Sequence, residues 1–117
     1  MKRDDDLLRE MLIEFEAQQD WFILMPQTLG MSEEDRIKYG HLNFLCDAGM
    51  VASVGKGTFR LTHAGHDDLE AVRDIGVWEN TKNAVAETGG SATLEILKQL
   101  ATGLVKKKLS EHTGIAL

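Results

Sequence analysis

Cysteine, proline, aromatic residues and long apolar runs are all scarce in this chain. Its 117 residues include one cysteine, one proline and 6% aromatic residues. A lone cysteine, Cys46, cannot close an internal disulfide. A helix needs roughly 18 to 20 consecutive apolar residues to cross a bilayer, and no such run or apolar signal segment is present. We therefore expect a cytoplasmic protein that has no membrane partner.

Positive charge is also in short supply. The chain carries 13 Lys and Arg against 19 Asp and Glu, a net charge of −6. Affinity for nucleic acid comes mainly from neutralising phosphates, so an acidic domain binds DNA only if its cations collect on one face. The charge balance weighs against DNA binding without excluding it.

The remaining composition is that of an ordinary globular protein. Hydrophobic residues make up 43% and charged residues 27% of a chain whose length suits one core. We expect a single domain in which residues 1–75 form the core and residues 76–117 form a C-terminal helical extension, packed on it or used for dimerisation.

Apolar periodicity and capping residues predict five helices. They cover residues 5–19, 33–48, 63–74, 77–87 and 91–109, and the first three start after the N-caps Asp4, Ser32 and Thr62. Gly76 is expected to interrupt the chain between the third and fourth. Several side chains are expected to face the core: Ile37, His41, Phe44, Leu45 and Ala48 in the second helix, Leu69 in the third, and Trp78, Thr81 and Val85 in the fourth.

Three short strands are expected between these helices. Residues 21–25 form an apolar run that Pro26 ends, which predicts a short buried strand. Residues 50–54 and 59–61 predict a hairpin, because the glycines in residues 55–58 supply the positive φ of a tight turn. The sequence thus predicts a mainly α protein with a small β-hairpin, in the order of a winged helix. Only about six residues separate the first strand from the second helix, so the helix-turn-helix is reduced.

Motifs around the hairpin resemble those of a known family. The chain begins Met-Lys-Arg-Asp, has His41-Leu42 and Ala48-Gly49 before the hairpin, and continues with Leu61-Thr62-His63-Ala64-Gly65-His66 after it. It resembles a family of small uncharacterised bacterial and prophage proteins that carries a domain-of-unknown-function label. Gly40 and His63 depart from that pattern, which has aromatic residues there. The Leu-Thr-x-x-Gly segment is similar to that of MarR-like and PadR-like regulators, and this similarity implies a winged-helix fold.

A DNA-reading surface is the first candidate site. On the outward side of the second helix, Arg36, Tyr39 and Asn43 recur at helical spacing, with Lys38 beside them. Arg and Asn make two-pronged contacts to guanine and adenine edges. The hairpin adds Lys56 and Arg60, which suit phosphates. Three acidic residues at the start of the same helix oppose this interpretation: Glu33, Glu34 and Asp35.

Two functions stay open at this point. The first is a regulator, phage- or prophage-encoded, that binds double-stranded DNA as a homodimer through the broad apolar face of the last helix, which runs from Leu94 to Leu109. The second is a protein-binding module, such as a phage-encoded protein that modulates a host factor or defence complex through an acidic surface. The same residues would then contact the partner protein.

Catalysis, metal binding and cofactor binding have little support. No nucleophile motif, glycine-rich phosphate loop or spaced carboxylate pair is present. His63 and His66 lie three residues apart, but zinc needs three or four converging ligands, and Cys46 and His41 point apart on a helix. We expect His66 to be a partly buried ring where the third helix meets the hairpin, and we expect the protein to be non-enzymatic.

Overall fold

The computed structural model describes residues 1–87 and 94–114. The fold is mainly helical with a small three-stranded antiparallel sheet. Its elements, in chain order, are α1 (Asp5–Glu16), β1 (Phe22–Leu24), α2 (Glu33–Asp47), β2 (Val51–Gly55), β3 (Thr58–Leu61), α3 (His63–Val72), α4 (Ile75–Glu87) and α5 (Leu94–Thr113). Among the described residues, no helix combines the length and apolarity required to span a membrane.

The chain divides into two compact units. Unit 1 is Met1–Leu69 and unit 2 is Glu70–Leu117. Unit 1 contains the sheet, α1, α2 and most of α3. Unit 2 contains α4 and α5, which lie against each other. The boundary falls within α3.

Side-chain caps start the first three helices where the sequence predicts. Asp4 accepts a hydrogen bond from the Leu7 amide at 3.2 Å, and Ser32 accepts one from the Asp35 amide at 3.1 Å. The Thr62 hydroxyl accepts from the Gly65 amide at 2.9 Å. Each bond satisfies a backbone donor that the first helical turn leaves unpaired. The three predicted N-caps are confirmed.

The sheet has the order β1-β3-β2, so β1 lies at an edge. The predicted hairpin is confirmed as β2 and β3, joined by a turn at Lys56 and Gly57. The prediction that residues 21–25 form a buried strand is wrong in part, because only Ile23 is buried. Trp21 is 70% and Leu24 67% exposed. Leu24 lies on the face opposite Ile23, and a strand covered by helices on one face buries only alternate residues. Trp21 precedes the first residue of β1.

The core of unit 1 lies between α1, α2 and one face of the sheet. Fully or almost fully buried side chains come from all three: Leu8, Met11, Leu12 and Phe15 of α1, Leu42 and Leu45 of α2, and Ile23, Val51 and Phe59 of the strands. His41 of the predicted α2 stripe is buried as expected. Ile37 and Ala48 are exposed instead, Ala48 because it follows the last residue of α2 as its C-cap.

Gly65 allows α3 to approach the start of the hairpin closely. A Cβ at this position would overlap the carbonyl oxygen of Met50. That oxygen also accepts a hydrogen bond from the Thr62 amide at 2.9 Å. Glycine is therefore required at this position of the Leu-Thr-x-x-Gly segment, because a side chain would collide with the backbone of Met50.

Unit 2 buries the predicted face of α4. Trp78 and Thr81 are fully buried and Val85 is 5% exposed. The prediction that Gly76 interrupts the chain is wrong, since Gly76 lies inside α4. The break comes before it, where the Asp74 carboxylate accepts a hydrogen bond from the Val77 amide at 3.0 Å and caps α4. The predicted start of the last helix at Ser91 lies outside the described residues.

Candidate functional site

The outward side of α2 carries three of the predicted site residues. Arg36 and Asn43 are exposed and Tyr39 is half-buried. Spacings of four and three residues place all of them on one side of the helix. Gly40 lies among them, and the Met1 side chain lies over it, since a Cβ there would come within 2.6 Å of the methionine Cε. The N-terminal residues therefore cover part of this face, and glycine at position 40 leaves room for them.

Lys38 lies apart from those residues. Its Nζ is 2.9 Å and 3.1 Å from the two carboxylate oxygens of Glu14 on α1. The ion pair turns Lys38 towards α1 and neutralises its charge locally. The structure therefore does not bring Lys38 together with Arg36.

The two cations of the hairpin, Lys56 and Arg60, lie in different structural environments. Lys56 is exposed in the two-residue turn. Arg60 is exposed on the central strand, opposite Phe22 of β1 and Ala52 of β2. Residues that are directly opposite share a face of the sheet, so Arg60 projects from the outer face among largely apolar neighbours.

The two histidines of interest have opposite environments. His41 is fully buried, and its Nε2 accepts a hydrogen bond from the Asp4 amide at 2.8 Å. A backbone amide can only donate, so Nδ1 carries the proton and donates to the Ile37 carbonyl at 2.8 Å. His66 is exposed, which corrects the expectation of a partly buried ring. The buried residue at that junction is its neighbour Gly65.

Neither a metal site nor an activated nucleophile is assembled in the described part of the chain. No three His, Cys, Asp or Glu side chains there come together as metal ligands. His63 lies 3.6 Å from Asp67 one turn on, in a pair that is almost fully exposed. Burial raises the pKa of the Cys46 thiol, and the neighbouring Asp47 raises it further. A raised pKa keeps the thiol protonated and a poor nucleophile.

Negative charge is concentrated in unit 1. Met1–Leu69 carries seven Lys and Arg against thirteen Asp and Glu, a net charge of −6. Glu70–Leu117 carries six of each and is neutral. The whole net charge of the protein thus resides on the unit that holds the sheet and the predicted site residues.

Part of the negative charge of unit 1 lines a groove between α1 and α2, which we call the α1–α2 groove. The groove has a volume of about 510 Å³ and an apolar floor of Leu7, Met11 and Ile37. Its rim carries four carboxylates and a single cation: Glu10, Glu14, Glu33, Glu34 and Lys38. Because Lys38 pairs with Glu14, three carboxylates are left without a balancing charge on the rim.

A second cavity, here the β1 groove, lies beside the first strand and measures about 550 Å³. Its lining comes from the end of α1 and the residues after it, from residues 22–31 and from the first half of α2. Sequence reasoning missed both grooves. The one sequence signal for the β1 groove is the short connection between β1 and α2. That connection is too short to hold the second helix that would otherwise fill this space.

Comparison with known proteins identifies a family. A family model described as hypothetical protein (DUF2513) matches residues 2–91. The chain belongs to the DUF2513 family. An uncharacterized protein of Haemophilus influenzae is 25% identical over 119 residues, which cover 94% of this chain and all of that protein. No solved structure matches the chain.

The predicted resemblance to a family of small uncharacterised proteins is thereby confirmed. The stretch matched to DUF2513 includes both grooves, the hairpin and α4. The surfaces described above therefore belong to the part of the chain that defines its family membership.

Proposed function

We propose that this DUF2513 protein is a protein-binding module whose unit 1 engages a positively charged surface of a partner protein. The observation that carries the proposal is the net charge of −6 confined to unit 1. Such a charge repels nucleic-acid phosphates and attracts basic protein surfaces, chiefly by raising the association rate and by selecting against acidic partners.

The α1–α2 groove supports the proposal, because it joins charge to apolar contact area. Ile37 on its floor is 36% exposed, and Glu33 and Glu34 stand beside it at the start of α2. Protein interfaces combine an apolar centre with a polar rim. A basic partner segment that inserts an apolar side chain between α1 and α2 contacts the apolar floor of the groove and pairs with its acidic rim.

We propose further that unit 1 is a reduced winged helix. The order of helix, strand, helix, hairpin and helix supports this assignment, as does a three-stranded sheet in which the first strand pairs with the last. Residues 26–31 take the place of the second helix. Fold alone does not assign a function, so it is the charge of unit 1 that favours protein binding over DNA binding in this proposal.

Affinity capture from extracts of the source cells tests the protein-binding function. The full chain is compared with the double variant Glu33→Lys/Glu34→Lys, whose net charge rises by four units. The matched control is Glu87→Lys/Glu111→Lys, which makes the same charge change in unit 2. We expect a basic protein to be retained by the wild-type chain and the control, and to be lost with added salt and from the Glu33/Glu34 variant. Equal retention by both double variants contradicts the proposal.

DNA binding is the second candidate, and the outward side of α2 favours it. Arg36 and Asn43 are exposed there, at a spacing that lets both side chains reach base edges. The homodimer through α5 that the sequence predicts is part of this DNA-binding hypothesis. Leu100 and Leu109 are 44% and 48% exposed. The structure does not describe the side chains of the other residues of that expected face: Leu94, Leu97, Ala101, Leu104 and Val105.

A further inference from the structure

The edge of β1 that faces away from β3 has no neighbouring strand in the described part of the chain, and we call it the open edge. Within the described part of the chain, β1 pairs with β3 alone, in the register Phe22 with Arg60, Ile23 with Phe59 and Leu24 with Thr58. An open edge presents backbone donors and acceptors to any extended segment that arrives. Natural edge strands are commonly protected by lysine or proline, and Phe22–Leu24 contains neither.

The hydrogen-bond pattern shows which backbone groups face that edge. The Met25 amide donates to the Gly57 carbonyl at 2.9 Å. Bonded pairs alternate along an antiparallel ladder, so Ile23 also bonds towards β3. The N–H and C=O groups of Phe22 and Leu24 therefore point away from the sheet.

The β1 groove lies along this open edge. Every residue of β1 lines it, whereas none of β2 or β3 does. Its other walls are the chain from Glu14 to Asp20, the segment from Met25 to Met31 and the first half of α2. The groove therefore offers space of about 550 Å³ beside unpaired backbone groups, with helices on one side.

The charged side chains that line the β1 groove indicate which kind of partner segment it can bind. Its charged side chains are Glu14, Asp20, Asp35 and Lys38. Lys38 is paired with Glu14, which leaves Asp20 and Asp35 as the uncompensated charges of the lining. An occupant with cationic side chains matches this lining, and an acidic occupant is repelled.

We propose that the open edge of β1 docks an extended, basic segment of a partner protein as a fourth strand of the sheet. This inference rests on the protein-binding function proposed above and specifies its binding mode. Main-chain hydrogen bonds to Phe22 and Leu24 supply the pairing, and the side chains of the segment supply the selectivity.

The sheet also dictates the side-chain pattern of the partner. Phe22 and Leu24 project to the outer face, where Leu24 is 67% exposed, while Ile23 projects towards the helices. Side chains of an added strand alternate in the same way. Those on the Ile23 side face the groove, where Asp20 and Asp35 are the uncompensated charges, and are Lys or Arg. Those on the side of Phe22 and Leu24 are apolar. The partner segment therefore alternates basic and apolar residues.

The test uses the blocked peptide Lys-Val-Lys-Val-Lys-Val-Lys with the full-length, isotope-labelled protein. We expect saturable binding at low salt, with the largest amide chemical-shift changes at Phe22 and Leu24. The same peptide with every backbone amide N-methylated keeps its charge but loses its donors, and we expect it to cause no change at β1. A peptide alternating Glu and Val should not bind.

A charge variant of the groove provides a second readout. Asp20→Lys should weaken binding of the Lys-Val peptide by about 1.5-fold to fivefold, the range for exposed charge pairs. Asp47→Lys, an equal charge change on an exposed residue outside the groove, should leave the Kd nearly unchanged.

The outcomes separate this inference from the function on which it rests. Equal binding of the N-methylated peptide, or shift changes confined to α1 and α2, overturns strand addition and leaves the protein-binding function intact. Absence of Lys-Val binding also overturns it. The protein-binding function fails only through the capture experiment, if the Glu33/Glu34 variant retains the same proteins as its control.

Discussion

At the scale of single residues, His41 is the polar group most deeply embedded in unit 1. It joins the turn before α1 to the middle of α2, because its ring accepts from the Asp4 amide and donates to the Ile37 carbonyl. Phe44 contacts the same ring edge-on, with centroids 5.4 Å apart. We assign His41 to the attachment of the N-terminal residues.

Replacing His41 by phenylalanine should destabilise the protein by about 1 to 3 kcal/mol. Phenylalanine keeps a ring in the core but removes two part-buried hydrogen bonds, from the Asp4 amide and to the Ile37 carbonyl, and their combined loss costs about this much. Urea denaturation measures the change in the free energy of unfolding. His66→Phe is the matched control, since that histidine is exposed and surface substitutions change stability by about 0.5 kcal/mol or less. Equal effects of the two substitutions would contradict the assignment.

At the scale of elements, local signals predicted much of the fold. Asp4, Ser32 and Thr62 each cap a helix through an amide three residues away, so the information lies within a short stretch of sequence. The hairpin follows from its glycines in the same way. Gly76 was misread because Asp74 caps α4 two residues earlier, and a cap outweighs the modest helix propensity cost of one glycine.

The parts that sequence reasoning missed depend on distant partners. Lys38 and Glu14 are 24 residues apart in the chain, and no local pattern indicates that they pair. The exposure of Leu24 depends on which strand β1 joins and on which face the helices cover. An apolar run indicates a strand but not its place in the sheet.

Contact between α3 and the hairpin gives a prediction about Gly65. Gly65→Ala should destabilise the protein by about 1 to 3 kcal/mol, because the added Cβ overlaps the Met50 carbonyl and forces the two elements apart. Gly55→Ala in β2 is the control. Its Cβ would lie 3.8 Å from the Thr58 Cβ, which is ordinary contact distance. Thermal unfolding should show a clear loss for the first variant and little change for the second, and an unchanged midpoint for Gly65→Ala would refute the close approach.

At the scale of the whole molecule, charge is divided unevenly between the two units. Unit 1 carries the entire net charge of −6 and both grooves, while unit 2 is neutral. The cations predicted to read DNA do not form one basic set, since Lys38 pairs with Glu14 and Arg60 lies on the outer face of the sheet. This distribution is the physical basis for preferring a basic protein partner to a nucleic acid.

The most direct test of that central claim is a titration of the full-length chain against a fluorescent duplex library of random sequence at low salt, where phosphate attraction is strongest. The account predicts no change in anisotropy, because the net charge of unit 1 opposes the approach of phosphates. Binding whose log K falls against log salt by about 0.9 per phosphate contacted, and which weakens in Arg36→Ala, would contradict it and establish α2 as a DNA-reading helix.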